Sequence, residues 1–253
     1  PEEYGGAGLG LTEAAIVMQA VTRSGAGFSG ASAIHLNIFG PKPLEKFGTT
    51  EQKQENLPRI ISGEEKMCFA VTEPNSGKIW TTGAQRADKI LIIARTTPKD
   101  KASKPYLGLS LFYTDFNRDK IDAKPIPKMG RKAVESNMLY IDGLEVPKEH
   151  LIGEEGQGFK YLIQGLNPER VLFAVESIGL GFAALERATT YAKERVVFGR
   201  PIGQNQGIQH PLAMRWAELK AAELLAYKAA GLYDQGVDCG AEANAAKLLG
   251  TEA

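Results

Sequence analysis

The chain has 253 residues, enough for one large domain or two smaller ones with a sizeable core. Its 30 basic and 30 acidic residues balance, so the net charge gives no reason to expect nucleic acid or an anionic membrane as a partner. No apolar run reaches the ~18 residues of a membrane span, and only two cysteines, Cys68 and Cys239, occur, which favours free thiols in a reducing compartment.

The two ends of the sequence carry no readable targeting signal. Pro1 opens the chain without an initiator Met, and the Ala-rich helical pattern at 241–253 has no Gly/Pro stop after it. We therefore expect the middle of a longer protein. The bacterial cytoplasm and the mitochondrial matrix both stay open as locations.

Helices and turns are predicted for residues 1–66. The glycine-rich stretch at 5–10 is interpreted as a tight turn before a helix, because a phosphate-binding loop would need a preceding strand and a following Lys-Ser/Thr. Thr12 is expected to cap the apolar run that follows it. Thr49 and Gln52 have capping-box spacing and predict the start of a second helix.

Residues 67–150 change to the pattern of short strands. A wholly apolar run at 90–94, an alternating run at 107–114 and a third run at 137–142 are separated by polar and Gly/Pro-containing stretches. These runs predict a small central β-domain, either a sandwich or a barrel.

Residues 151–253 return to a helical period. Steps of four and three residues predict one buried stripe, made of Val171, Val175, Ile178, Phe182, Leu185, Thr189 and Ala192. A further helix is expected to carry Leu212, Trp216 and Leu219 on one face. The predicted fold is therefore α+β, with an N-terminal helical domain, a central β-domain and a C-terminal helical bundle.

Short motifs are spread over nearly the whole chain. They read PEEYGG at 1–6, FGTTEQK at 47–53, VTEP at 71–74, MGR at 129–131, VP at 146–147, GQGF at 156–159 and RVVFGRPI at 195–202. In this order they resemble the acyl-CoA dehydrogenase family of flavoproteins. The resemblance implies an FAD enzyme, usually a homotetramer, that removes hydrogen across the α and β carbons of an acyl-CoA thioester. It passes the electrons to an electron-transfer flavoprotein.

The same resemblance assigns five residues of the β-domain to the flavin. Phe69, Val71 and Thr72 would meet the flavin ring and its hydrogen-bonding edge, Trp80 would pack against one face of the ring, and Thr82 would lie near N5. A bland alternative is that Phe69 and Trp80 are core aromatics, the commoner role of aromatics in strands.

Three further residues are assigned to the FAD of a neighbouring subunit. Arg195, Phe198 and Gln206 would reach its adenosine and pyrophosphate. The alternative for Arg195 is an ordinary solvated arginine on a helix.

The catalytic base is assigned to Glu169, within LNPER at 166–170. Isovaleryl and long-chain members of the family carry a Glu before an Arg here, so Glu169 is expected to take the α-proton and Arg170 to lie beside the substrate. Other members use a C-terminal carboxylate outside this chain. The structural alternative is that Asn167 caps a helix, Pro168 takes its first position and Glu169 favours the helix dipole.

Other titratable residues receive weaker assignments. Glu73 belongs to the family's flavin-binding turn and is expected to shape that turn. His35, His150 and His210 show no metal-ligand spacing, so no metal site is predicted.

One stretch departs from the family pattern. After Thr-Glu-Pro the family continues through Gly-Ser-Asp and a β-hairpin before Lys-x-Trp, whereas here Ser76-Gly77 runs directly into Lys78. Either the hairpin has been lost or residues are missing from the sequence at 77/78. We favour the second interpretation, because removing two strands would expose a sheet edge and core. Ser76 therefore receives no role.

Three alternatives to a dehydrogenase stay open. An acyl-CoA oxidase or a flavin monooxygenase would use the same fold, and a catalytically reduced relative would act in assembly. The placement of Glu169 leans toward isovaleryl or long-chain substrates, but the length and branching of the acyl chain are not readable from the sequence.

Overall fold

The computed structural model describes residues 1–73 and 77–253. The described residues form seven α-helices: α1 (Leu11–Val21), α2 (Gly27–Phe39), α3 (Lys42–Phe47), α4 (Thr50–Ser62), α5 (Gly158–Glu194), α6 (Gln206–Asp234) and α7 (Gly240–Glu252). They also form nine strands: β1 (Met67–Ala70), β2 (Lys78–Thr82), β3 (Lys89–Arg95), β4 (Leu109–Asp115), β5 (Ile121–Pro125), β6 (Ser136–Ile141), β7 (Leu151–Ile152), β8 (Val196–Val197) and β9 (Arg200–Pro201). Within these ranges, no helix combines the length and the apolar character that crossing a membrane requires.

The chain divides into two compact units. The first comprises residues 1–8 and 32–166, and the second comprises residues 9–31 and 167–253. The first unit contains α3, α4 and β1 to β7, and the second contains α1, α6, α7, β8 and β9. The three domains predicted from the sequence, 1–66, 67–150 and 151–253, stay a prediction.

The strands of the first unit form two open sheets. One sheet has the order β1-β3-β4-β7, with β1 and β3 parallel, and the other has the antiparallel order β2-β6-β5. Neither sheet closes on itself among the described strands. Of the two predicted architectures, the barrel is therefore wrong.

The central strand β3 explains the wholly apolar run at 90–94. Successive side chains of a strand point to opposite faces of its sheet. Leu91 packs with Leu57 of α4 on one face, whereas Ile90 packs with Leu139 of β6 on the other. Because both faces are buried, apolar residues are required at every position.

The predicted start of α4 is confirmed. Thr49 Oγ1 accepts a hydrogen bond from the Gln52 backbone at 3.2 Å, and Gln52 Oε1 accepts one from the Thr49 backbone at 2.9 Å. Gly63 ends the helix in the left-handed conformation, with φ 77°. The glycine-rich stretch at 5–10 is a turn before α1, as predicted.

The predicted cap of α1 is wrong. Helix α1 begins at Leu11, and the carboxylate of Asp234 accepts hydrogen bonds from the backbone N–H groups of Leu11 at 2.6 Å and Thr12 at 2.9 Å. The Thr12 hydroxyl donates to the same carboxylate at 2.6 Å. A Cβ at Gly10 would lie 2.7 Å from Asp234, so glycine is needed for this approach. The cap comes from the end of α6.

The structural alternative for Glu169, a helix start at Asn167 and Pro168, is also wrong. Both residues lie inside the continuous helix α5, and Asn167 Oδ1 accepts a hydrogen bond from Arg170 Nη1 at 2.7 Å. The carboxylate of Glu169 is therefore not at a helix N-terminus. The buried stripe that follows is confirmed in part. Val171, Val175, Ile178, Phe182 and Ala192 are buried, whereas Leu185 and Thr189 are half-buried.

The predicted apolar face of α6 is correct in part. Leu219 is buried, whereas Trp216 is 54% exposed. A period of 3.6 residues identifies which residues share a face and does not set how far burial extends along it.

The Asp234 cap predicts a specific loss of stability. Asp234→Ala removes the acceptor of two helix N–H groups and should lower the free energy of unfolding by about 1–2 kcal/mol. Thr12→Val keeps both backbone bonds and should cost less. Urea unfolding of the two variants and the wild type checks this, and equal losses in both variants would contradict it.

Candidate functional site

The end of β1 and the strand β2 lie side by side in the first unit. The Ile79 backbone donates to the Thr72 carbonyl at 2.9 Å. A Cβ built on Gly83 would lie 3.9 Å from the Met67 carbonyl oxygen. These two contacts bracket the five residues assigned to the flavin: Phe69, Val71, Thr72, Trp80 and Thr82. The structure brings all five together.

Phe69 and Trp80 lie in different environments. Phe69 is half-buried, and its ring packs edge-on against Phe39 with 5.4 Å between centroids. Trp80 is 59% exposed. Packing against Phe39 is a sufficient reason for an aromatic residue at position 69, but the core-aromatic alternative does not fit Trp80.

The backbone at Trp80 is strained. The pairing of β2 with β6 shifts register between Lys78 and Thr81, and Trp80 within the shift has φ 63°. A bulky side chain at positive φ costs about 1–2 kcal/mol. Because the indole is mostly exposed, its own burial does not offset that cost.

Positive φ occurs at few described residues other than glycine. They are Trp80 at 63°, Arg131 at 53° and Phe198 at 54°. Arg131 and Phe198 lie inside the motifs at 129–131 and 195–202, and Trp80 follows the motif at 71–74. Strained backbone concentrates at sites of function.

Arg131 has a contact that explains its position. Its Nε donates to Ser32 Oγ on α2 at 2.8 Å, within the first unit. This bond ties the loop between β5 and β6 to α2. Met129 in the same loop is almost fully exposed.

Phe198 forms the tip of the hairpin β8–β9 in the second unit. Phe198 and Gly199 have φ of 54° and 78°, and two-residue hairpin turns with both φ positive strongly prefer Asn-Gly or Asp-Gly. The Phe198 ring is 100% exposed. The local backbone therefore disfavours this residue, and contacts within the described chain do not compensate.

Arg195 and Gln206 flank the same hairpin. The Ile202 backbone donates to the Arg195 carbonyl at 2.8 Å, and Gln206 begins α6. Both side chains are exposed, and neither makes a side-chain hydrogen bond or ion pair with another residue in the described ranges. An aromatic ring, a guanidinium and an amide thus point outward from one end of the second unit.

Glu169 faces a cation that the sequence analysis missed. Lys247 Nζ on α7 lies 3.3 Å from both carboxylate oxygens of Glu169. The Glu169 side chain is 21% exposed, and that of Lys247 is 37% exposed. Lys247 is the only cationic residue in the sequence of α7, and this was the one sequence feature that could have indicated a partner for Glu169. The adjacent Arg170 is occupied by Asn167 instead.

Curated relatives match this chain over its whole length. An acyl-CoA dehydrogenase of Bacillus subtilis is 34% identical and is covered over 72% of its length. The acyl-CoA dehydrogenase FadE12 of Mycobacterium bovis is also 34% identical and is covered over 70%. The chain belongs to the acyl-CoA dehydrogenase family. Family models describing the N-terminal and C-terminal domains of acyl-CoA dehydrogenase match residues 1–64 and 156–253.

Solved structures agree with the fold. Butyryl-CoA dehydrogenase of Megasphaera elsdenii superposes with a TM-score of 0.92 at 27% identity, over all of this chain and 72% of that one. A chain from a structure of the electron-transferring flavoprotein of Acidaminococcus fermentans gives a TM-score of 0.90 at 29% identity, over all of this chain and 71% of that one.

Acyl-CoA dehydrogenase relatives carry residues that this chain lacks. The matched spans are 276 and 281 positions long, against 253 residues here. At least 23 positions of each span therefore have no counterpart in this chain.

The strand β2 begins with a buried lysine. Lys78 is buried, and its Nζ lies 2.7 Å from Glu73 and 3.5 Å from the Val71 carbonyl. Glu73 is thus held in an ion pair, and its expected role in shaping the flavin-binding turn stays a prediction. Pro74 of the family motif and Ser76 lie outside the described residues.

The remaining reactive groups have structural surroundings. Burial raises the pKa of the Cys68 thiol far above its usual range, so the thiol stays protonated. Burial also raises the pKa of Glu65, whose Oε1 accepts a hydrogen bond from the Tyr113 hydroxyl at 2.6 Å. Among the described residues, no three His, Cys, Asp or Glu side chains are grouped to hold a metal ion.

Phe198→Asn should stabilise the FAD-free protein. Asn tolerates positive φ far better than Phe, so relief of strain should add about 1 kcal/mol, or roughly 2–4 °C in Tm. Tyr191→Asn is the control, because Tyr191 is an exposed aromatic within helix α5, outside the residues with positive φ. Thermal unfolding checks both variants, and a lower Tm for Phe198→Asn would contradict the assignment of strain.

Proposed function

We propose that Trp80 and Phe198 are exposed and strained because each contacts FAD, and that Glu169 is the catalytic base. The chain is an FAD-dependent acyl-CoA dehydrogenase, which oxidises the α,β bond of an acyl-CoA thioester and passes electrons to an electron-transfer flavoprotein. The observation that carries the proposal is the pair of left-handed aromatics, both at positions that the family resemblance assigns to FAD: Trp80 to the flavin ring and Phe198 to the adenosine and pyrophosphate part.

The residues of the first unit fit a flavin ring. Trp80 offers a flat apolar surface, and Thr72 after β1 and Thr82 in β2 carry hydroxyl groups that can form hydrogen bonds. Phe69 and Val71 are half-buried, so they form the floor on which an aromatic ring system can rest. When bound, FAD accepts the hydride that leaves the β-carbon.

The residues of the second unit fit the remainder of the cofactor. The guanidinium of Arg195, which has no partner among the described residues, suits a pyrophosphate, which it can contact through two parallel hydrogen bonds. Phe198 and Gln206 supply an aromatic face and an amide for the adenosine. In this proposal the three residues serve the FAD of a neighbouring subunit in a homotetramer.

Glu169 takes the α-proton of the substrate. A positioned carboxylate contributes to catalysis by holding its oxygen within reach of the proton that it removes. Arg170 lies beside the substrate, and Asn167 holds its guanidinium at 2.7 Å. This placement of the base favours substrates of the isovaleryl or long-chain type. The competing base is a carboxylate of the C-terminal region outside this chain.

Replacing the base should abolish turnover and spare the cofactor. Glu169→Gln should lower the rate of flavin reduction by acyl-CoA about 10³-fold, because the amide cannot accept the proton. The measurement is anaerobic bleaching of the flavin spectrum with short, branched and long acyl-CoAs.

Glu186→Gln provides the matched control for that experiment. It makes the same chemical change at an exposed carboxylate of α5 that pairs with Arg23. Near-normal bleaching in Glu169→Gln would remove Glu169 from the mechanism and leave the C-terminal carboxylate as the base.

The proposed contact of Phe198 with FAD has a test of its own. After gel filtration, the Phe198→Asn protein should retain less FAD than the wild type.

We also propose that a two-stranded segment is missing between Gly77 and Lys78. Among the described strands, β1 pairs only with β3 and β2 only with β6. A cavity of about 610 Å³ lies between the two sheets there, lined by Val71, Ile92 and Ile141. The additional residues of the relatives would fill this cavity and cover both edges.

Restoring that segment should stabilise the protein. The residues that the Bacillus subtilis relative carries at this point are inserted between Gly77 and Lys78, and a Gly/Ser insertion of equal length is the control. Burial of apolar cavity walls worth ~2 kcal/mol should raise Tm by roughly 4 °C over the control. Equal Tm values for the two insertions would place the additional residues elsewhere.

A further inference from the structure

We infer that Lys247 is the positioning residue for Glu169. The inference rests on the proposed function, in which Glu169 is the base. Lys247 holds the carboxylate in one orientation on the face of α5 that turns toward α7. It acts through Glu169 and not on the substrate.

The contact between the two side chains is two-pronged. Lys247 Nζ lies 3.3 Å from both Glu169 oxygens, so the ammonium is equidistant from the two. The same Nζ lies 4.9 Å from the ring centroid of Phe173, one turn further along α5. A cation held by a carboxylate and an aromatic ring has little freedom to move away from either.

The packing of α7 on α5 sets this contact. The face of α7 that is buried consists of small residues, Ala243, Ala246 and Gly250. A Cβ on Gly250 would lie 3.1 Å from the Ala174 carbonyl oxygen, closer than most side chains allow. Because the helices approach so closely there, Lys247, one turn before Gly250, reaches Glu169.

The two cations near Glu169, Arg170 and Lys247, contact different groups. Arg170, the neighbouring cation on α5, donates to Asn167. Lys247 contacts the carboxylate from α7. A glutamate side chain has several rotatable bonds, and a misplacement of about 1 Å at a reacting group can cost roughly 100-fold in rate. Fixing the carboxylate is therefore a catalytic requirement that Lys247 meets.

Many ion pairs between helices contribute almost nothing to stability. The pair of Lys228 and Glu242 is of this kind and serves for comparison with the pair of Lys247 and Glu169. Lys228 of α6 pairs with Glu242 of α7 at 3.0 Å, but its side chain is 61% exposed. Such a solvated pair is worth little. Lys228→Met is therefore the matched control for Lys247→Met.

The experiment compares Lys247→Met, Lys247→Arg and Lys228→Met in the FAD-loaded protein. Lys247→Met should lower kcat about 10- to 100-fold and leave KM within twofold, because Lys247 does not touch the substrate. Lys247→Arg should recover most of the rate, since it restores a cation at this place. Lys228→Met should stay within twofold of the wild type. A Lys247→Met enzyme with a kcat equal to or above that of the wild type overturns the inference.

A double-mutant cycle in thermal unfolding gives a readout independent of activity. If the pair exists, Lys247→Met should change Tm less in the Glu169→Gln background than in the wild type. Additive changes in Tm overturn the contact. An active Glu169→Gln enzyme overturns the proposed function. An inactive Glu169→Gln enzyme with a fully active Lys247→Met enzyme overturns only the role of Lys247.

Discussion

The burial of β3 on both of its faces is the constraint on which the first unit depends. One face carries the helices α3 and α4, and the other carries the second sheet. The parallel neighbour β1 and the strand β2 of the facing sheet are both placed by this arrangement. Residues that no local pattern would bring together, such as Thr72 and Trp80, become neighbours because the two sheets must enclose Ile90 and Ile92.

Local energetics and global placement disagree at Trp80 and Phe198. Each residue occupies a backbone conformation that its side chain disfavours, and each exposes its ring to solvent. A folded chain keeps such positions when the surrounding structure holds them in place and when they serve a function such as ligand binding. Binding a cofactor is a function of that kind.

Much of the architecture could be predicted from the sequence, because buried apolar residues repeat with the period of the helix or strand that contains them. The strand at 90–94 and the capping box of α4 follow from local patterns and are confirmed, and the stripe of α5 is confirmed except at Leu185 and Thr189. The partner of Glu169 and the cap of α1 were not readable, because Lys247 and Asp234 lie 78 and 222 residues or more from the groups they contact. Pro168 misled for a related reason: it predicts a helix start locally, but α5 continues through it. The roles in the site came from the family resemblance and stay predictions.

The Asp234 cap has a consequence for the order in which the second unit forms. Residues 9–31 emerge from the ribosome long before residue 234, so α1 lacks the acceptor for its first N–H groups during most of synthesis. An 11-residue helix is marginal on its own in water. The N-terminal part of this unit must therefore wait, incompletely ordered, until α6 has been made. Contacts of such long sequence separation slow folding and lengthen the exposure of apolar surface to chaperones and to aggregation.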